Sequence, residues 1–283
     1  MLISRSIIIQ YDCMLISHET PISYLEQSKS YNDFDYALVH LFETHPEYYN
    51  FFVRSLSQGR EVLLDNSIFE LKEAFEPDKF AEYVTKLKPT YYVIPDVLED
   101  ADKTIVSALD FTSRYDNLPG IAIGVVQGKT YQEIVDCYKF MSDHVDYIAI
   151  SFDYSYYQVT GQSRASYDKH LAKLERQCYG RIKLVNDLIR DGVWNHRKMH
   201  HMLGNSLAKE MKHYKDIPSI RSVDTSNPVV AGLLGHRYIK GEGLNFKPSV
   251  LLADLIDSQV NEDQAQDITY NTREYKFIAN GLA

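Results

Sequence analysis

The sequence predicts an α/β protein folded as a single (β/α)8 TIM-like barrel, and three observations carry that expectation. Short β-rich apolar runs recur at 36–42 (YALVHLF), 61–65 (EVLLD), 91–96 (YYVIPD), 121–127 (IAIGVVQ), 147–151 (YIAIS) and 220–224 (IRSVD). Between them, 78–87 (DKFAEYVTKL), 130–141 (TYQEIVDCYKFM) and 206–214 (SLAKEMKHY) space apolar residues three and four apart, as in a one-sided helix. Asp65, Asp96, Gln127, Ser151 and Asp224 each end an apolar run, and in a barrel such tips converge on one rim. An open doubly wound sheet also collects ligands at its strand ends, so the tips alone do not separate the two architectures.

The elements follow from local chemistry. Alternation of strand-like and helix-like stretches is the mark of a parallel sheet with crossover helices. Pro77 before Asp78, and Gly128 and Lys129 before Thr130, are reasonable helix starts. The segment 1–257 is expected to form the barrel, with a short N-terminal β extension; 258–283 is polar and acidic and reads as a loosely held tail. No GxGxxG follows the first strand and no GxxxxGK[ST] occurs, which removes the main support for dinucleotide or P-loop nucleotide binding.

With 283 residues, 45% of them apolar and 24% charged, the chain reads as one globular domain with a sizeable core. The opening MLISRSIIIQYD has an apolar run too short for a secretory signal or a bilayer span, so no membrane partner is expected. Three widely separated cysteines, Cys13, Cys137 and Cys178, suit a reducing cytoplasm. Net charge is −9, yet 164–248 holds 16 Lys and Arg against 8 Asp and Glu. That imbalance fits either one phosphate-facing surface or ordinary variation among helix surfaces.

Taken singly, each tip residue is weak. Asp65 in LLDNSIFE and Asp96 in VIPDVLED also suit turns, Gln127 in GVVQGKTY can both donate and accept, and Asp224 in SVDTSNP precedes a polar loop. Their shared position raises their weight. Tyr154, Tyr156 and Tyr157 follow the Ser151 tip and suit either stacking on extruded bases or an aromatic-packed lid or interface. His196, His200 and His201 in WNHRKMHHML read as basic surface more readily than as a metal site, and with Arg197, Lys198, Lys209 and Lys212 they are candidates for phosphate contact.

The segments LLDNSIFE, VIPDVLED, GVVQGKTYQEIVD, YIAIS, HMLGNSLAKEM and SVDTSNP resemble, in order and approximate spacing, those of tRNA-guanine transglycosylases. GVVQGKTY is the most telling, being similar to that family's GIVQGG before a helix. The likeness covers roughly 36–240 as scattered blocks, and the compact form looks most like the phage-type DpdA proteins, which install 7-deazaguanine bases in DNA. The resemblance implies Asp224 as nucleophile and Asp65 as the second catalytic aspartate, roles that are open to interchange. It also implies that Asp96, Gln127 and Gly128 read a guanine-like base, that Phe69 and Leu203 cover its faces, and that Ser151 stands where the family has glycine. DNA is then the first expected partner, tRNA the second, and a 7-deazaguanine base the second substrate, in a bacterial or phage-infected host cytoplasm; dimerisation stays open.

One departure is large. The tRNA enzymes carry a late CxCxxC segment and a histidine that bind zinc, and no cysteine follows Cys178 here, so neither zinc nor another cofactor is expected. A non-catalytic nucleic-acid-binding relative is a second reading. A small-molecule barrel enzyme is a third, weakened because none of these tips ends in lysine and no HxH occurs.

Overall fold

The computed structural model describes residues 13–165, 168–205, 207–244, 246, 248 and 250–281. The N-terminal β extension expected at the start of the chain lies outside them. Eight parallel strands form one sheet: β1 (Leu15–Ser17), β2 (Asp35–Leu38), β3 (Val62–Asp65), β4 (Tyr91–Val93), β5 (Ile121–Val126), β6 (Tyr147–Ile150), β7 (Met199–Met202) and β8 (Ile220–Asp224). Their order, β1-β8-β7-β6-β5-β4-β3-β2, wraps into a nearly closed barrel. The helices are α1 (Leu25–Ser28), α2 (Leu41–Thr44), α3 (Pro46–Ser57), α4 (Ile68–Leu71), α5 (Pro77–Leu87), α6 (Ala101–Arg114), α7 (Tyr131–His144), α8 (Ser155–Thr160), α9 (Lys169–Arg190), α10 (Asn227–Leu233) and α11 (Glu262–Ala279). No helix among the described residues is long and apolar enough to cross a membrane.

Strands β2, β3, β4, β6 and β8 are buried at every residue, the consequence of helices outside and side chains packed inside. That is why they stood out as continuous apolar runs. Helix entries are capped as the chemistry asks: Thr130 and Glu133 form a reciprocal capping box at α7, and Glu76, Asp100 and Asp168 accept from free amides at α5, α6 and α9.

The gap between β1 and β2 is closed by a side chain acting as backbone. Asn32 Oδ1 accepts from His18 N at 2.7 Å, and its Nδ2 donates to His18 O at 2.9 Å, while Asp33 N donates to Ile16 O at 2.9 Å. Asn32→Ala strips buried groups of partners and is expected to cost about 1–3 kcal/mol in denaturant unfolding, with the midpoint moving and the slope unchanged.

Several expectations are corrected. The histidine-rich stretch is only in part basic surface: His196 and Arg197 are exposed, but His200 and His201 lie in β7, both 0% exposed. The helix expected at 206–214 is a 3₁₀ turn at Ala208–His213, Ser206 lying outside the described residues. The segment after Asp257 is no loose tail. Most of it is α11, whose Ile268, Asn271, Thr272, Tyr275 and Ile278 are buried against the barrel. The local cation excess is partly internal balance, since Lys198, Arg221 and Arg237 pair with Asp146, Glu61 and Asp267 from outside that stretch.

Candidate active site

Closing the barrel gathers the strand tips on one rim, around a cavity of about 290 Å³. Asp65, Phe69, Asp96, Gln127, Ser151, Leu203 and Asp224 all line it, so residues far apart in the chain face one hollow. Gly128 does not. Its backbone packs against the start of α7, where a Cβ would stand 2.9 Å from Ile134 N, so the glycine serves the turn after β5.

Asp96 is 2% exposed and takes two amide donors, Asn66 Nδ2 at 2.7 Å and Gln127 Nε2 at 2.6 Å. Burial pushes its carboxyl above the usual carboxylate range, and these two donors hold it back. Gln127 cannot turn freely, because its Oε1 accepts from Glu99 N at 2.8 Å. An oriented amide donor therefore stands beside a carboxylate acceptor.

Asp224 Oδ1 accepts from Gly204 N at 3.0 Å and from His201 Nε2 at 3.0 Å. Since a carboxylate only accepts, the imidazole hydrogen sits on Nε2. His201 Nδ1 lies 2.7 Å from the Ser222 hydroxyl, which also bonds to Tyr147 OH, so a file of hydroxyls and imidazole ends on the carboxylate. Gly204 is needed on two counts. Its φ is +60°, and a Cβ there would meet the Phe152 ring at 2.4 Å.

Asp65 accepts from Ser67 N at 2.7 Å. Burial, then the charge of Glu70, hold its carboxyl well above the ordinary range, with Asp224 and Asp96 adding to the effect. The chain turns sharply after β3, with Ser67 at φ +60°, into the single turn α4 that carries Phe69 and Glu70 to the cavity wall. Phe69 packs on Phe152, ring centroids 5.2 Å apart.

Behind this rim lies a buried brace. Arg181 on α9 is 0% exposed; its Nη1 donates to Leu203 O and Nη2 to Gly204 O, both at 2.9 Å, and its Nε donates to Glu210 at 2.6 Å. Glu210 also accepts from Asn205 and Tyr214, and Asn205 accepts from Tyr275 of α11. The C-terminal helix thus supports the loop that presents Gly204 to Asp224.

Other sequence-based candidates fall elsewhere. Arg197 and Lys198 precede β7, at the barrel end opposite the cavity, and Lys198 pairs with Asp146 at 2.8 Å. Lys209 is engaged by Glu175 at 3.0 Å and Lys212 by Gly241 O at 2.7 Å, as internal ties. Tyr154 and Tyr157 are buried props of the β5 and β6 tips, donating to Val126 O and Ser151 O, and offer no exposed stacking face. Gly204, Glu70 and Arg181 were missed, and His201 was singled out only as basic surface or a phosphate contact rather than as the partner of Asp224; the HMLGN segment alone hinted at Gly204.

The chain matches no protein-family model and no curated protein sequence. Its functional reading therefore rests on this geometry and on the segment resemblances.

Proposed function

We propose that the protein is a base-exchange glycosyltransferase that replaces guanine in DNA with a 7-deazaguanine, in the cytoplasm, through a covalent aspartyl-sugar intermediate. The observation that carries the reading is the convergence of Asp65, Asp96, Gln127 and Asp224, from four strand tips, on one cavity. A base presenting O6 as acceptor beside N1–H and N2–H donors meets the Gln127 amide and the Asp96 carboxylate in matching order. Adenine presents the reverse order and would leave a buried carboxylate unpaired.

At the sugar, Asp224 attacks C1′, the C1′–N9 bond breaks with its electron pair going to the base, and a carboxylic acid supplies the proton the base needs. Asp65 suits that second role, because burial and the charges of neighbouring carboxylates hold its carboxyl well above the ordinary range. The incoming base then gives up a proton, attacks C1′ and releases Asp224, so two displacements retain configuration and the proton count is unchanged. His201 and the Gly204 amide orient the attacking carboxylate.

Labelled guanine or 7-deazaguanine incubated with the protein and either duplex DNA or tRNA tests this. Label entering DNA supports the reading, label entering tRNA moves the substrate to RNA, and binding without exchange makes the chain a non-catalytic relative. Asp96→Asn is expected to lower discrimination for guanine-type bases by about 10²-fold or more, with polymer binding nearly unchanged, in competition assays.

A further inference from the structure

Asp96 stands between two side-chain amides, and the far end of each amide decides what it has left to offer. Asn66 Oδ1 accepts from Ile68 N at 3.0 Å, and its Nδ2 donates to Ile94 O at 3.0 Å and to Asp96 at 2.7 Å, so no hydrogen remains. Gln127 Oε1 accepts from Glu99 N at 2.8 Å, and its Nε2 donates to Asp96 alone among the described residues, so one amide hydrogen is uncommitted. Gln127 lines the cavity, and this hydrogen is what it offers an acceptor there. The residue that anchors it has an uncommon backbone. Glu99 has φ +57°, the left-handed region that a residue with a Cβ seldom adopts, and its side chain ties the turn down by accepting from Ser155 N at the start of α8. Tyr154, just before that helix, donates to Val126 O, one residue ahead of Gln127. Gln127 is thus bracketed from both sides by one connected unit.

We propose that Glu99, which does not line the cavity, is the positioning residue that sets base choice: its left-handed turn and its tie to α8 aim its N–H at Gln127 Oε1 and so keep the donor end of Gln127 toward the base. This rests on the base-exchange reading for its use, though not for its effect on Gln127. Asp96 governs one end of the amide and Glu99 the other. With both contacts made, Gln127 presents a fixed hydrogen. An oxygen at position 6, as in guanine or a 7-deazaguanine, accepts it, whereas a 6-amino group sets a second donor against it. Without the Glu99 contact, Gln127 is held at one point and swings about its last torsion. A 6-oxo base then loses a fixed partner. A 6-amino base, which had none, loses nothing, so the discrimination narrows.

Calorimetry on the full chain with guanine and with 2,6-diaminopurine, which carries an amino group at position 6 and no hydrogen on N1, tests this without nucleic acid. Glu99→Ala is expected to weaken guanine binding about 10-fold and to leave diaminopurine binding near its wild-type value. Glu99→Gln, whose amide oxygen can still accept from Ser155 N, should restore guanine binding. Glu99→Gly relieves the positive φ but lacks the tie, and should behave as Glu99→Ala does. Equal weakening of both bases, the mark of a merely structural role, overturns the proposal, and so does guanine binding unchanged in both variants. The Gln127 side-chain amide protons, assigned by their loss in Gln127→Leu, give a nuclear magnetic resonance readout that needs no base. They should move toward the positions of exposed glutamines in Glu99→Ala and stay in place in Glu99→Gln; no movement in Glu99→Ala equally overturns the proposal. Wild-type protein that binds neither base, beside amide signals that move as expected, counts against the base-exchange reading and leaves the positioning of Gln127 by Glu99 standing.

Discussion

Asp224→Asn is expected to lower base exchange by about 10³-fold or more, equivalent to about 4 kcal/mol of barrier, while the barrel stays folded. The amide oxygen of asparagine can still accept from Gly204 N and His201 Nε2, so the local hydrogen bonds that now end on Asp224 Oδ1 survive. What is lost is the nucleophile, because an amide does not form the sugar ester. Thermal unfolding of the variant should resemble that of the wild type, and single-turnover exchange should be near background. Near-normal turnover would remove Asp224 from its role. His201→Phe gives a graded companion, since it removes the donor and leaves the carboxylate.

Arg181→Met should produce the largest loss of stability, about 3–5 kcal/mol in denaturant unfolding. Arg181 and Glu210 are 0% and 2% exposed, so deleting the cation leaves a carboxylate buried without its charge partner. The carbonyls of Leu203 and Gly204 lose their donors as well. Adding Glu210→Gln should recover part of the loss, because the uncompensated charge is then gone; a double variant no better than the single one would mean that the carbonyl contacts dominate. Either way, the loop that directs Gly204 N at Asp224 loosens, and exchange should fall together with stability.

The strands were legible where both faces are buried, because such strands must be apolar throughout. β7 was not, since His200 stacks on Trp194 and Tyr138 and His201 serves Asp224, and both tasks demand residues that look like surface. α11 escaped notice because its buried stripe, Ile268, Asn271, Thr272, Tyr275 and Ile278, is part polar: Asn271 bonds to the Tyr238 amide and to the His236 and Pro228 carbonyls. The tip carboxylates were readable from position alone. Arg181 was not, because its meaning lies in which partners the fold brings to it.

The central claim is that one carboxylate on this rim bonds a sugar carbon, and trapping tests it most directly. The protein, incubated with polymer substrate and no incoming base, then denatured and digested, should yield one peptide carrying a sugar adduct, and mass spectrometry should place that adduct on Asp224. An adduct on Asp65 would exchange the two roles. Base exchange that proceeds with no adduct on either aspartate would contradict the mechanism outright.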